Sequence, residues 1–228
     1  MRKLKFLVAA LALCSATHVA PLAAATVNVT MQGTNAFRDA TGKNAWFESS
    51  SYNLNGTSRN AAAGLFRLTA TGAGGAMQDF LAFCLEPLQT LTLPKDHTVG
   101  TSLSAPILDR LGALMSNAFG LVTGASSAAA FQMAVWEIAN ESSSQLQLSN
   151  GGFKMTAANG TTLGLAQSWL DNITAGRWTA SGKVTILSAP GTQDLLTNIA
   201  PVPVPAAGVL LLGGLTAMGA LRRRRKSA

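Results

Sequence analysis

Two apolar stretches bracket this chain, and only the residues between them are left to build a water-facing domain. The first runs from Phe6 to Ser15 behind the basic residues Arg2, Lys3 and Lys5, and small residues follow over Pro21 to Ala25. That order of basic, apolar and small residues is the pattern of a secretory signal, predicted here to span residues 1–25 and to be cut before Thr26. Cys14 lies in its apolar core and leaves with it; bulky Leu13 before it argues against lipidation. The second stretch runs from Ala206 to Leu221 and is closed by Arg222 to Arg225 and Lys226. As a helix it measures about 24 Å against a hydrocarbon core of about 30 Å, so it can span as a single C-terminal transmembrane helix with some thinning of the bilayer. Its basic tail would stay cytoplasmic, leaving everything upstream outside. Before it, Pro201, Pro203 and Pro205 forbid a helix interior and predict an extended spacer.

The residues Val202, Pro203, Val204, Pro205 and Ala206, then the apolar run, then Arg222, Arg223, Arg224 and Arg225, come in a recognisable order. They resemble the VPLPA-type variant of the PEP-CTERM sorting signal of Gram-negative bacteria, with Val204 in place of its leucine. The resemblance covers residues 201–228. It implies export through the Sec translocon, transient anchoring in the inner membrane, and cleavage near Pro205 by an exosortase-like sorting protease. Delivery to the cell surface or extracellular matrix, as in a biofilm, would follow.

The terminal segments also explain the charge. They hold eight of the seventeen basic residues but none of the ten acidic ones, so the formal charge of +7 falls to about −1 between Thr26 and Pro205. The high pI belongs to sorting, and no basic patch with interleaved aromatics is present to bind nucleic acid. Residues 26–200 are enough for one domain with a real core. They contain no repeat array or low-complexity stalk.

The expected fold class is α+β: a β-rich N-terminal part, sandwich or barrel-like, then a helical middle and a returning C-terminal strand. Strand signals cover Thr26 to Met31, Ala45 to Leu54, Gly64 to Ala70 and Met77 to Glu86, separated by Gly- and Asn-rich turns. Phe66, Leu68 and Ala70 alternate with Arg67 and Thr69, as in a half-buried strand. Ser104 can cap a helix with Ile107, Leu108, Leu111, Leu114 and Met115 on one face. Ser126 or Ser127 can cap a second, with Ala128, Phe131, Ala134, Val135 and Ile138 on its buried stripe. A third is expected from about Thr162 to Ile173, and Lys183 to Leu187 returns to strand.

After signal removal one cysteine remains, Cys84, in the segment Phe83 to Pro87. A lone thiol in an oxidising compartment is buried, cross-linked or chemically employed. Gln132, in Phe131 to Ile138, offers an employment: an internal thioester between the Cys84 sulfur and the Gln132 side-chain carbonyl. Amides are poor electrophiles, so the fold must hold the pair together and polarise the carbonyl. A glutamine in the first turn or two of a helix would lie near free backbone N–H donors. Phe83, Phe131 and Trp136 are candidates for shielding the bond from water or positioning it, and Trp136 shares a helix face with Gln132. On the residues alone, a single cysteine in a strand is usually a small buried hydrophobe, and Phe131 to Ile138 reads as an ordinary amphipathic helix.

Phe83-Cys84 and the segment Gln132-Met133-Ala134-Val135-Trp136 together resemble the Cys-Gln thioester domain of bacterial surface adhesins. There an aromatic-Cys strand is followed by a helix and then by a T-Q-x-A-I-W segment. Here Phe131 stands for the Thr and Val135 for the Ile. The helix from Ser104 to Asn117 and the segment Gln193 to Leu196 also fit, so the resemblance spans roughly Gly64 to Leu196. It implies covalent capture of an amine or hydroxyl on a surface protein or polysaccharide, in a single turnover rather than by enzymatic catalysis. The other class in view is a non-covalent adhesive or structural matrix module with a buried free cysteine.

Other chemistry has little support in the sequence. His97 falls in a polar segment, Pro94 to Thr98, and is expected to be a solvated loop residue; one histidine without ligand-spaced partners makes no metal site. No G-x-S-x-G elbow is present. No cofactor is expected. Glu86 and Glu137 flank the two thioester segments and could assist proton transfer, although solvated carboxylates are the plainer expectation.

Overall fold

The computed structural model describes residues 25–72, 75–141 and 144–199. The predicted signal, the spacer and the sorting tail with its transmembrane helix lie outside the described residues. Among the described residues no helix is long and apolar enough to cross a membrane.

The fold is α+β and rich in strand. Among the described residues nine strands form two sheets: β1 Thr26–Met31, β2 Phe47–Leu54, β3 Thr57–Gly64, β4 Phe66–Gly72, β5 Met77–Cys84, β6 Lys95–Val99, β7 Phe153–Ala157, β8 Thr185–Ser188 and β9 Leu195–Thr197. Among the described residues three α-helices, α1 Ala105–Ala118, α2 Ala125–Asn140 and α3 Gly160–Thr174, occupy the middle. Six strands close into an antiparallel barrel in the order β1, β4, β5, β9, β8, β6; the other three form a sheet in the order β3, β2, β7. The expected return to strand at the C-terminus is thus two short strands, which complete the barrel between β5 and β6.

Strand register identifies the barrel interior, because directly opposed residues share a face. Val27 faces His97, Val29 faces Ala70, Leu68 faces Phe80, and Leu195 lies opposite both Cys84 and Leu187. All nine of these side chains are buried. His97 is therefore an interior residue of β6, fully buried, and not the solvated loop residue that its polar neighbours suggest. Lys95, Asp96 and Thr98 mislead because alternation places polar residues around a single inward histidine. Its Nδ1 lies 3.1 Å from the Lys95 carbonyl and its Nε2 has no partner among the described residues.

The β2–β3 hairpin turns on Asn55 and Gly56, whose φ values of 49° and 89° suit a type I′ turn. Asn53 Oδ1 accepts from the Gly56 N–H across it. Helix α1 begins after Ser104, as expected, though the Ser104 side chain makes no capping bond. Helix α2 begins after Gly124 rather than at Ser126 or Ser127. Ser127 Oγ reaches back from inside the first turn to accept from the Thr123 and Gly124 N–H groups. Helix α3 is capped by Asn159, which accepts from Thr161 and Thr162.

Helix α2 is the centre of the molecule. Every residue from Ala128 to Ile138 is buried, so it has no solvent stripe over that span. It packs against α1, α3 and strands of both sheets. Glu48 on β2 steadies it: the carboxylate accepts from Ser126 Oγ in the first turn of α2 and from Thr162 Oγ1 in the first turn of α3. An anion at two helix N-termini is favourably placed.

Candidate functional site

Strand β5 outruns its neighbour. Its pairing with β4 ends at Ala82 opposite Phe66, yet β5 continues to Cys84. On that side the Cys84 backbone therefore has no strand to bond. The Gln132 carboxamide supplies both missing partners: Cys84 N–H donates to Gln132 Oε1 at 2.9 Å, and Gln132 Nε2 donates to the Cys84 carbonyl at 2.7 Å. Both residues are buried. The two residues singled out in the sequence, 48 positions apart, are thus in direct contact.

Gln132 is not at the helix N-terminus. It lies about two turns inside α2, beyond the reach of the free N–H groups of the first turn. The donor on its carbonyl is the Cys84 backbone N–H instead. Gln132, Trp136 and Asn140 succeed one another at a spacing of four, forming one stripe of the helix. Each meets the end of β5: Gln132 takes the Cys84 backbone, Trp136 lies beside the Cys84 thiol, and Asn140 Nδ2 donates to the Leu85 carbonyl at 3.1 Å. Asn140 was not visible as a site residue, although its helical spacing from Gln132 was there to be read.

Burial pushes the Cys84 thiol up to about 12, so at neutral pH it is protonated. The Trp136 indole N–H and the Glu86 backbone N–H oppose this, while the carboxylates of Glu86 and Asp194 add to it. Trp136 Nε1 approaches the sulfur without a hydrogen bond of regular geometry, and it has no other partner among the described residues.

Phe83 and Phe131 sit apart from the thiol. Alternation along β5 places Phe83 on the opposite face from Cys84, where it stacks on Phe131 with ring centroids 4.3 Å apart. Phe119 meets both rings edge-on, and Trp169 packs on Phe131. These aromatics clamp α2 to β5 and so fix Gln132 against Cys84. Trp136 is the aromatic that covers the sulfur, itself packed on Tyr52.

Cys84 and Trp136 line a groove of about 660 Å³ at the rim of the barrel. One wall is β3, through Arg59, Asn60, Ala61 and Ala62; the other is the segment from Pro87 to Leu93. That segment is tied down by side chains: Tyr52 Oη donates to the Pro87 carbonyl, Gln193 Nε2 to the Gln89 carbonyl, and the Thr92 N–H to Thr192 Oγ1. Gln193 Oε1, on the groove, has no partner among the described residues. Glu86 accepts from the Asp194 N–H and so joins the ends of the site. Glu137 is buried, 0 % exposed, and points away to the 144–152 segment, where Oε1 accepts from Gln147 N–H. It is neither a solvated carboxylate nor part of this groove. Among the described residues no group of three His, Cys, Asp or Glu is placed to hold a metal ion.

Comparison with known protein families, curated proteins and solved structures gives no match to this chain.

Proposed function

We propose that this protein is an exported surface or matrix protein whose domain carries an internal thioester between Cys84 and Gln132, used once to attach it covalently to a partner. The observation that supports it is the Gln132 carboxamide lying on Cys84 with Oε1 bonded to the Cys84 N–H. In bond formation the Cys84 sulfur adds to the Gln132 amide carbon. The Cys84 N–H stabilises the negative charge developing on Oε1, as an oxyanion donor does. The thiol proton passes to the amide nitrogen, which leaves as ammonia. In capture, a partner amine or hydroxyl adds to the same carbonyl. The Cys84 sulfur leaves, takes up the nucleophile's proton, and an amide or ester remains. The raised thiol affinity for protons helps make capture one-way, because the released sulfur is held as an unreactive thiol.

The same two hydrogen bonds favour one competing reading. A carboxamide satisfying an unpaired strand end is sufficient reason for a buried glutamine, and the domain would then be a non-covalent adhesive or structural module with an inert thiol. Intact mass of the freshly purified protein decides. The thioester form weighs one ammonia less than its sequence, gains methylamine at Gln132, and only then exposes Cys84 to alkylation. A full mass, with Cys84 alkylated on unfolding and no methylamine taken up, leaves the non-covalent module.

A further inference from the structure

The edge of β3 bears on what the groove admits. The two-residue turn at Asn55 and Gly56 makes Leu54 and Thr57 a pair that exchanges both backbone hydrogen bonds, and alternate pairs repeat it along the hairpin. Arg59, Ala61 and Ala63 thus point their backbone groups at β2. Ser58, Asn60 and Ala62 point theirs outward, where β3 has no neighbouring strand among the described residues. Ser58 O is taken by Arg59 Nη1, but the outward N–H and C=O groups of Asn60 and Ala62 have no partner among the described residues. Edge strands are usually protected by Pro, Lys or a covering loop. Here the outward positions are Asn60 and Ala62, both exposed, and both line the groove that holds Cys84.

From this we infer that the groove takes an extended polypeptide, added as a strand to the free edge of β3, which presents a lysine side chain to the Cys84–Gln132 bond. The inference rests on the thioester reading. Alternating N–H and C=O groups at strand spacing match another peptide backbone; a polysaccharide offers hydroxyls at no such repeat. Small side chains at Ala61 and Ala62 let a second backbone approach. Side chains of an added strand alternate between the two faces, so a lysine of the right parity points into the groove. Its neutral amine adds to the acyl carbon, Cys84 leaves as the thiol carrying the amine proton, and an isopeptide bond to Gln132 results.

The test compares three probes on the purified protein by intact mass: methylamine, a short end-blocked peptide of alternating Thr and Val with one central Lys, and dextran. The expected result is that the peptide couples about tenfold or more faster than methylamine, as edge hydrogen bonds worth that factor require. N-methylation of alternate peptide residues removes that advantage from the ligand side. Ala62→Pro removes it from the protein side, because proline deletes an outward N–H without touching the β2 pairing. Equal rates for peptide and methylamine overturn the inference. So does an advantage that survives N-methylation, or faster capture of dextran. A protein of full mass that takes up none of the probes overturns the thioester reading itself, whereas methylamine uptake without peptide preference overturns only the strand-addition inference. Should Ala62→Pro not fold, the N-methylated peptide decides alone.

Discussion

A carboxamide is the side-chain group that most closely imitates a peptide bond, since it offers one acceptor and a donor within a single plane. Gln132 exploits this at Cys84, and the consequence for stability is measurable. Gln132→Ala strands a buried N–H and a buried C=O, a loss of about 2–4 kcal/mol. Cys84→Ala keeps the backbone pairing to Gln132 and leaves only a small void, a loss of about 1–2 kcal/mol. Either substitution removes any covalent link, so the difference between their urea midpoints isolates the carboxamide's structural role. Equal midpoints would contradict it. At this scale the sequence was partly legible. Cys84 could be picked out because a lone cysteine in a chain expected to be exported calls for an explanation, and Gln132 because the segment from Gln132 to Trp136 resembles the glutamine segment of a thioester domain. The donor that polarises the Gln132 carbonyl could not be foreseen. It is a backbone N–H left free because β4 stops two residues short of Cys84, and that is a matter of strand register. The separate tasks of the three aromatics were likewise hidden, because they depend on which face of β5 each one meets.

Among the elements, helix α2 also bears on how the fold responds to pH. Glu137 Oε1 accepts from Gln147 N–H at 2.6 Å while its buried Oε2 has no partner among the described residues, and Glu141 accepts from Gly152 N–H at 2.7 Å. The two carboxylates fasten the 144–152 segment to the helix. Burial raises Glu137 to about 7, the Gln147 N–H opposes the shift, and the neighbouring Glu141 charge adds to it. A carboxyl raised on folding favours the fold while protonated. Its contribution is complete below about 4.5 and is lost as pH rises through about 7. Glu137→Gln keeps the acceptor for Gln147 and cannot ionise. Between pH 5 and pH 8 its stability relative to wild type should therefore rise by about 2 kcal/mol, allowing for solvent screening, in paired urea melts. A difference that does not change with pH would show that Glu137 titrates in the fold as it does in the unfolded chain, without the upward shift that burial gives it. The helices were legible from apolar periodicity, α1 and α3 nearly to their ends. Strands β3 and β6 were not. Thr57 to Gly64 has no large apolar side chain, and Lys95 to Val99 is mostly polar, so each is defined by its neighbours rather than by its own pattern.

Closure is the property of the whole molecule that local sequence conceals most. An α+β, strand-rich fold followed from the order of strand and helix signals. That β8 and β9 would insert between β5 and β6 did not, because strands of four and three residues carry too little alternation to assign a partner. Yet this closure sets what a C-terminal cut could remove without opening the barrel. Leu195 of β9 pairs with Cys84, and β9 ends at Thr197, ahead of the spacer at Val202 to Ala206. A cut near Pro205 would therefore leave the barrel, helix α2 and the Cys84–Gln132 contact whole, whereas a cut before Thr185 would open the barrel beside the cysteine. If the tail is a temporary address, protein collected from the cell surface or medium should end near Pro205 by mass. It should show the same reactivity toward methylamine as the membrane-held precursor. On the same reading, replacing Arg222 to Arg225 with neutral residues would remove charge expected to keep the tail cytoplasmic, so less precursor should be retained in the inner membrane and correctly oriented. Mature protein that still carries Leu210 to Leu221 would instead make the segment a permanent anchor, with the barrel held at the membrane surface and its groove open to partners on the outer side of that membrane.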